Sequence, residues 1–230
     1  MEMDISTPAS ATLSDLMNSR YSCRGFLPKP VEREVIEKIL LMSQRTASWC
    51  NSQAWQVAIT EAPATDRLRK AMESEEAQAD SAFDIPAPTE YRGVYKDRRR
   101  ECGLQLYESV GVMPGDRVAS AKQAQENFRF FGAPHVALIT TEVALGPYGA
   151  VDCGGYVQNF MLAARSLGVA SIAQAALAMK SEFLRKWFEI PDNRQVVCGI
   201  SFGYEDREHP ANSFRTRRAP MSEVVQWVRS

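Results

Sequence analysis

"YGAVDCGGYVQNFMLAARSLG", residues 148–168, is the stretch of sequence that decides the fold. Apolar residues recur in it at spacings of three and four, which predicts a helix with one broad apolar face. Gly168 follows the last apolar residue and predicts the end of that helix. Small residues such as Gly154 and Ala164 would let another helix approach closely. We therefore expect a central helix that is almost fully buried.

One further helix and three strands are predicted around this segment. Residues 31–45 place apolar side chains on one face and charges on the other, as in a helix that packs on a core. Residues 55–60, 135–141 and 194–204 are short runs rich in β-forming residues, which predicts three strands. Because the strands are few and irregularly spaced among helices, the sequence favours an α+β architecture over a regular βαβ repeat.

Residues 80–132 differ in character from the rest of the chain. They lie between two predicted strands, are polar, and contain two helical stretches separated by "GVMPGD" (111–116). Such a section predicts a lid or an external flap. No Gly/Ser linker divides the chain, so we expect one domain over residues 1–230.

The composition argues against several classes of protein. The formal net charge of −1 provides no overall field for nucleic acid or an anionic membrane. No apolar run approaches the roughly 18 residues of a membrane span, and the polar, acidic start argues against a secretory signal. Five scattered cysteines without a C-x-x-C motif favour the reducing cytoplasm. Two distant histidines without partners at ligand spacing argue against a metal site.

The common motifs for phosphate binding and for nucleophilic catalysis are missing. The chain contains no G-x-G-x-x-G, no G-x-x-x-x-G-K-[ST] and no G-x-S-x-G. A bound phosphate must therefore be held by separate arginine side chains.

The first candidate for such a site is "SRYSCRGF" (19–26), in which Arg20, Ser22 and Arg24 alternate. Two prolines that follow discourage a helix just beyond it, which favours an extended conformation. In an extended chain alternate side chains share a face. The pattern predicts an anion site; the alternative is a pair of solvated arginines.

Two other stretches carry groups suited to a ligand. In residues 47–60, amide and hydroxyl side chains lie between two tryptophans, a pattern suited to a planar polar ligand or to an ordinary loop. These residues are Asn51, Ser52 and Gln53, with Trp49 and Trp55 as candidate aromatic walls. Residues 212–228 form an Arg-rich tail, with a solvated terminus as the alternative.

Four segments, in this order, resemble the FMN-dependent nitroreductase family. Its [RK]-x-S-x-R-x-F pattern is matched by residues 20–26, and its S-x-x-N-x-Q-P-W loop by residues 48–55, with Ala54 in place of the proline. Residues 152–178 resemble the family's central helix and the flavin-facing loop that follows it. Residues 203–220 resemble its closing G-Y … N-x-x-R-x-x-R-x-P segment.

The resemblance implies a nitroreductase-like α+β fold. The family has a mixed central sheet flanked by helices and forms an intertwined homodimer with two FMN sites at the interface. In that fold residues 80–132 would form a helical lid, and residues 205–230 a C-terminal tail that contacts the partner subunit.

The resemblance also implies a binding site for the FMN phosphate. Arg20, Ser22 and Arg218 match phosphate-binding positions, with Arg215 as an additional candidate. Arg24 matches the position at the pyrimidine edge of the flavin ring, where a fixed cation stabilises the charge gained on reduction.

Two further segments are implied to face the flavin. One is similar to the loop that crosses the subunit interface to the partner's flavin; its residues are Ser48, Trp49, Asn51 and Gln53. Gln174 and Ala175 match the loop beside the flavin N5, where a backbone N–H can donate a hydrogen bond. The family's chemistry requires no acid, base or nucleophile from the chain, and no metal.

The implied activity is a ping-pong reduction in which NADPH or NADH delivers a hydride to the flavin and a small nitroaromatic or quinone then accepts it. One alternative is another flavin reductase on the same scaffold, a reductive dehalogenase or an enoate-type reductase. Another is a non-catalytic binder of anions or nucleic acid, against which the lack of aromatic-interleaved basic runs counts. The basic run 96–101 predicts an ion-paired helix face, with attraction of the NADPH 2′-phosphate as the alternative.

Overall fold

The computed structural model describes residues 7–229, so the first six residues and the last residue of the predicted domain and tail lie outside the described part. Its core is a sheet of four strands in the order β1-β2-β4-β3. The strands are β1 (Trp55–Ile59), β2 (His135–Glu142), β3 (Ala170–Gln174) and β4 (Arg194–Gly203). The helices of the described part are α1 (Pro8–Ser19), α2 (Arg33–Ser43), α3 (Ala62–Ala71), α4 (Glu75–Ala79), α5 (Gly93–Ser109), α6 (Arg117–Gln125), α7 (Gly146–Ser166) and α8 (Ser181–Phe188).

Helix α7 is the predicted central helix, displaced by two residues from the predicted range. One face is buried against α2 and the sheet, through residues that include Tyr156, Phe160 and Ala164. The expectation that the helix is almost fully buried is wrong for the single chain, because Tyr148 and Val151 are 58% and 66% exposed. These two residues lie three apart, so they share the helix face opposite the core.

Strand β3 was not expected from the sequence, which predicted a loop after the central helix. Its sequence, ASIAQ, contains a single β-branched residue, Ile172, and two alanines, which do not favour strands. It becomes a strand because it pairs antiparallel with β4, from Ala170 opposite Gly203 to Gln174 opposite Gly199. The three predicted strands are confirmed to within one residue at each end.

The sheet itself is antiparallel, which corrects the expectation of a mixed sheet. The pairs β1/β2, β2/β4 and β3/β4 are all antiparallel. Parallel pairing occurs, in the described part, at one isolated bridge between Ser22 and Ser171 on the outer edge of β3. Long helical connections precede β2 and β4 and permit either strand direction, so the spacing of the strands could not decide it.

Both faces of the sheet are covered. Along β2, Leu138 faces a cluster that contains Phe130 and Leu68, whereas Ile139 faces the cluster around α7. The alternation follows from the two-residue period of a strand. Because both faces are buried, ligands must reach the sheet at its edges or at the ends of its strands.

Helix α5, in the predicted lid, has no buried residue and is joined to the C-terminal tail by ion pairs. Arg98 pairs with Glu223 at 2.9 Å, and Arg217 of the tail pairs with Glu101 at 2.8 Å. We call these two pairs the α5–tail clasp. The predicted ion-paired face of α5 is thus present, but its partners come from the tail.

Candidate functional site

The segment that carries Arg20, Ser22 and Arg24 is extended, as predicted. Helix α1 ends at Ser19, and the chain then passes the outer edge of β3, where the Cys23 N–H donates to the Ser171 carbonyl at 3.2 Å. The Cys23 side chain is buried in the core, whereas Ser22 and Arg24 are only half-buried. The segment therefore presents a hydroxyl and guanidinium groups at the edge of the sheet.

The arginines of the N-terminal segment and of the tail meet in one cleft of about 230 Å³. The predicted residues that line it are Arg20, Ser22, Arg24, Arg215 and Arg218. Cys102 of α5 lies on its wall, so the predicted lid borders the same cleft. The structure thus joins two of the three stretches that the sequence singled out.

The cleft concentrates positive charge without a counter-ion from the described residues. Among the described residues, no carboxylate oxygen lies within 4.0 Å of any of the four guanidinium groups in the cleft. Burial, and then the charge of Arg218, lowers the pKa of Arg20, and burial lowers the pKa of Arg24. Like charges that burial brings together are stabilised by an anion, so the cleft is suited to a phosphate.

Asn212 ties the two chain ends together at this cleft. Its Oδ1 accepts from the Arg24 backbone N–H at 2.7 Å, and its Nδ2 donates to the carbonyls of Gly25 at 2.9 Å and Asp206 at 2.8 Å. Sequence reasoning did not include Asn212 among the site residues. Its position in the N-x-x-R-x-x-R pattern was the feature that could have indicated it.

The loop that precedes β1 has an unusual backbone held by side chains. Cys50, Asn51 and Gln53 have positive φ angles of 52°, 55° and 49°. Asp152 of α7 accepts from the Trp49 N–H at 3.2 Å, and the Gln53 N–H donates to the Ser48 Oγ at 2.9 Å. Such conformations cost energy for residues other than glycine, so these bonds fix the loop in one shape.

Arg194 fastens the end of this loop, where Ala54 replaces the family's proline. The buried guanidinium donates to the Ala54 carbonyl at 3.3 Å and to the Thr140 carbonyl at 2.8 Å. Burial lowers the pKa of Arg194. These bonds to neutral oxygens hold the loop to β2 where a proline would have stiffened it.

The loop and the arginine cleft lie at opposite edges of the sheet in one chain. The loop leads into β1, whereas the cleft lies beside β3, and three strand spacings of about 4.8 Å separate these edges by roughly 14 Å. Trp49 lines a separate cavity of about 300 Å³ and meets the Tyr148 ring edge-on at 4.4 Å. Within one chain, Ser48, Trp49, Asn51 and Gln53 therefore lie apart from the cleft.

Trp55 is a core residue, so its interpretation as an aromatic wall is wrong. Its ring is buried and stacks on Tyr156 with centroids 5.0 Å apart. Its indole N–H donates to the Gln44 Oε1 at 2.8 Å. As the first residue of β1, it anchors the loop rather than facing a ligand.

Gln174 and Ala175 lie on the same edge of the sheet as the cleft, three and four residues along from Ser171. The Gln174 side chain is buried; it donates to the Asn127 carbonyl at 2.8 Å and accepts from the Ser201 hydroxyl. It is thus occupied inside the core. Ala175 is exposed and carries no polar side-chain group, so any polar contact with a ligand would have to come from its backbone.

The buried thiols and His135 are held inside the fold by burial and by hydrogen bonds to the backbone. Burial raises the pKa of Cys23 and of Cys153 to about 11 and of Cys198 to about 12, so these thiols stay protonated. The His135 Nε2 accepts from the Val31 N–H at 3.0 Å, which leaves Nδ1–H to donate to the Thr60 carbonyl.

In residues 7–229 no three potential metal ligands cluster, and no helix has the length and apolarity to cross a membrane.

A profile of the nitroreductase family matches residues 17–204, which include the N-terminal arginine segment, the loop and the whole sheet. The chain belongs to the nitroreductase family. Nitroreductase NfnB of Mycolicibacterium smegmatis is 32% identical over 215 residues, which cover 93% of this chain and 92% of that protein. A 4-nitrobenzoate reductase of Nocardioides sp. is 31% identical over 97% of this chain and 93% of its own.

Solved structures of the nitroreductase family share the fold. The crystal structure of the FMN-dependent nitroreductase NfnB from Mycobacterium smegmatis in complex with NADPH superposes with a TM-score of 0.91, at 31% identity, over 96% of this chain and 100% of that one. The FMN- and NADPH-dependent nitroreductase NfnB from Sphigopyxis sp. strain HMH gives 0.87 at 28% identity, over 94% and 99%. The predicted family and its α+β fold are thereby confirmed.

Proposed function

We propose that this nitroreductase family member is an FMN-dependent oxidoreductase that reduces nitroaromatic or quinone-like compounds with NADPH or NADH. The observation that carries the proposal is the cleft in which segments near both ends of the chain bring together four arginines, none of them paired with a carboxylate of residues 7–229. The proteins it is similar to are named for FMN, for NADPH and for the reduction of 4-nitrobenzoate.

The residues of the cleft fit the phosphate of FMN. Arg20 and Arg218, whose charges act on each other, would share a phosphate dianion, and the Ser22 hydroxyl would donate to it. Each charge-assisted hydrogen bond to such a group contributes about 1.5–3 kcal/mol before desolvation. Ser48, Trp49, Asn51 and Gln53 would contact the flavin from a second subunit, and Gln174 and Ala175 through their backbone.

When bound, FMN supplies the hydride chemistry of the reaction. Arg24 would keep a fixed positive charge where negative charge develops on reduction, without reorganisation at that moment. None of the described residues that line the cleft is a His, Asp or Glu, and solvent would supply the protons. The chain's part in the reaction is thus to bind, to orient and to provide charge.

A homodimer is the second part of the proposal, because the site is divided between two edges of the sheet. A second copy placed with its loop against the cleft would complete the site. The exposed face of α7, with Tyr148 and Val151, and the exposed tail residue Trp227 support such an interface. Residues 205–230 would then contact the partner, and residues 80–132 would form the lid of a single-domain subunit.

We further propose that the protein works in the cytoplasm and needs neither nucleic acid nor a membrane as a partner. The support is that all five cysteines are free thiols, which a reducing compartment maintains. The net charge of −1 adds no general attraction to a polyanion.

The test is the visible spectrum of the purified protein. Wild-type protein is expected to be yellow, to bleach when NADPH is added without air, and to regain its colour with 4-nitrobenzoate. Arg20→Ala combined with Arg218→Ala is expected to lose most bound FMN. The control is Arg45→Ala with Arg207→Ala, which removes the same charge at exposed positions outside the cleft.

A colourless protein that takes up no FMN and binds nucleic acid would contradict the proposal. So would FMN content in the Arg20/Arg218 variant equal to that of the control.

A further inference from the structure

Two aromatic rings in the cleft lie against its arginines. The guanidinium carbon of Arg215 lies 3.5 Å from the centroid of the Tyr21 ring, and that of Arg24 lies 5.8 Å from the Phe214 ring. The arrangement is reciprocal: the N-terminal segment gives a ring to an arginine of the tail, and the tail gives a ring to an arginine of the N-terminal segment. Neither ring belongs to the residues that the sequence predicted for the site.

Tyr21 lines the cleft although it lies between the predicted residues Arg20 and Ser22. Strict alternation would point it to the other side. Arg20, however, has φ −75° and ψ 131°, which is a polyproline-like conformation with three residues per turn. Neighbouring side chains are then no longer on opposite faces. The Tyr21 hydroxyl donates to Glu205, which fixes the ring in place.

The Tyr21 ring and two carbonyls together set the plane of the Arg215 guanidinium. The Arg215 Nη1 donates to the carbonyls of Asn212 at 2.7 Å and Phe214 at 2.8 Å. Its Nε and Nη2 have no hydrogen-bond partner among the described residues. Arg215 thus lines the cleft with its charge, its orientation fixed and two nitrogen donors left over. A phosphate is bound best by such an oriented guanidinium.

We propose that Tyr21 and Phe214 are positioning residues that orient Arg215 and Arg24 before the cofactor binds, and that Arg215 is the tail arginine that joins Arg218 on the phosphate. The inference rests on the proposed function. An exposed arginine loses rotamer freedom when it is immobilised by a ligand, and a ring that orients it in advance reduces that loss.

The two rings have different expected effects, because their arginines face different parts of the cofactor. Tyr21 supports Arg215, so its loss should weaken binding of FMN but not of riboflavin, which lacks the phosphate. Phe214 supports Arg24 at the flavin ring, so its loss should weaken binding of both. A ring that only stabilised the fold would not separate the two ligands.

The experiment measures the Kd of the apo-protein for FMN and for riboflavin by quenching of flavin fluorescence. Tyr21→Leu is expected to weaken FMN binding about tenfold, within the range of a partly desolvated cation–π contact, and to leave the riboflavin Kd unchanged. Tyr21→Phe keeps the ring but loses its hydrogen bond to Glu205, so it should bind FMN more tightly than Tyr21→Leu does and riboflavin as the wild type does. Phe214→Leu should weaken both to a similar extent.

Tyr204→Leu is a matched control. The Tyr204 ring also lies under a cation, with the Lys29 Nζ 4.7 Å from its centroid, and its hydroxyl also donates to a glutamate, Glu32. It does not line the cleft, so its loss should leave the FMN Kd unchanged.

Arg215→Lys is a second variant, at an exposed position. It keeps the charge but lacks the planar guanidinium that the ring orients and its paired N–H donors, so it should weaken FMN binding while sparing riboflavin. The inference is overturned if Tyr21→Leu and Arg215→Lys bind FMN like the wild type, if they weaken both ligands equally, or if Tyr21→Phe is as weak as Tyr21→Leu. Failure of the proposed function would appear separately, as FMN binding that survives loss of both Arg20 and Arg218.

Discussion

Arg24 is half-buried, has no carboxylate within 4.0 Å among the described residues, and holds its guanidinium over a ring of the tail. A charge in this position stabilises electrons added to a neighbouring flavin. Arg24→Gln is therefore expected to lower the midpoint potential of bound FMN, by about 30 mV for each ~1.4 kcal/mol of stabilisation lost. Spectroelectrochemical titration of the FMN-loaded variant measures this directly.

The control for that potential is Arg45→Gln, which removes an exposed charge elsewhere on the surface. A variant at Arg24 that binds FMN and keeps the wild-type potential would show that its charge does not act on the flavin.

His135 gives the fold a dependence on pH. Burial lowers its pKa, so the folded protein holds the neutral ring while the unfolded chain takes up a proton below about pH 6.5. The stabilisation is complete above that pH and declines as the pH falls from about 6.5 toward the lower folded pKa. Urea unfolding of the wild type between pH 7.5 and 5 should show this decline, and His135→Gln should reduce its slope. An identical slope in the two proteins would contradict the assignment.

Single residues of the site could be predicted only where a pattern within one short segment indicates their role. The alternation of Arg20, Ser22 and Arg24 was readable because all three lie in one short segment. Asn212 was not included because its partner at Arg24 lies 188 residues away along the chain. Tyr21 was not predicted for a different reason: the backbone conformation of Arg20 breaks the expected alternation of side chains between two faces.

At the scale of elements, the two ion pairs of the α5–tail clasp hold the wall of the cleft that carries Cys102. Glu101→Arg should place two like charges together and speed FMN dissociation about threefold, consistent with the modest free energy of exposed ion pairs. Adding Arg217→Glu should restore the wild-type rate. The rate is measured by the fluorescence of released FMN.

The matched control is Glu61→Arg, which breaks an exposed pair with Arg33 outside the cleft. Salt should reduce the difference between the single variant and the wild type, because exposed charges are screened. If the double variant releases FMN as fast as the single one, the clasp does not retain the cofactor.

Helices and strands could be predicted where the spacing and type of their own residues indicate them. They could not be predicted where pairing with a neighbouring strand imposes the structure. Helix α7 and strands β1, β2 and β4 follow from spacing and composition alone. Strand β3 does not, since its alanines become a strand only by pairing with β4. The direction of the strands was also unreadable, because pairing between distant segments decides it.

At the scale of the whole molecule, the exposed face of α7 predicts an interface. Val151 is 66% exposed in the single chain, and Val151→Glu should place a charge in the middle of the proposed dimer contact. We expect a monomer that has lost most of its FMN, measured by light scattering and absorbance. Val118→Glu is the control, since Val118 is 83% exposed on α6 and should tolerate the change. A Val151→Glu protein that stays dimeric and yellow would contradict the interface.

The separation of the loop and the cleft onto opposite edges of the sheet has a genetic consequence for a dimer of this kind. Two alleles, one defective only in the cleft and one defective only in the loop, would each be inactive alone. When the two alleles are expressed together, mixed dimers form. One active site of a mixed dimer would have both defects, and the other would have neither. Half of the centres in such hybrids would therefore work, and the pair of null alleles would complement.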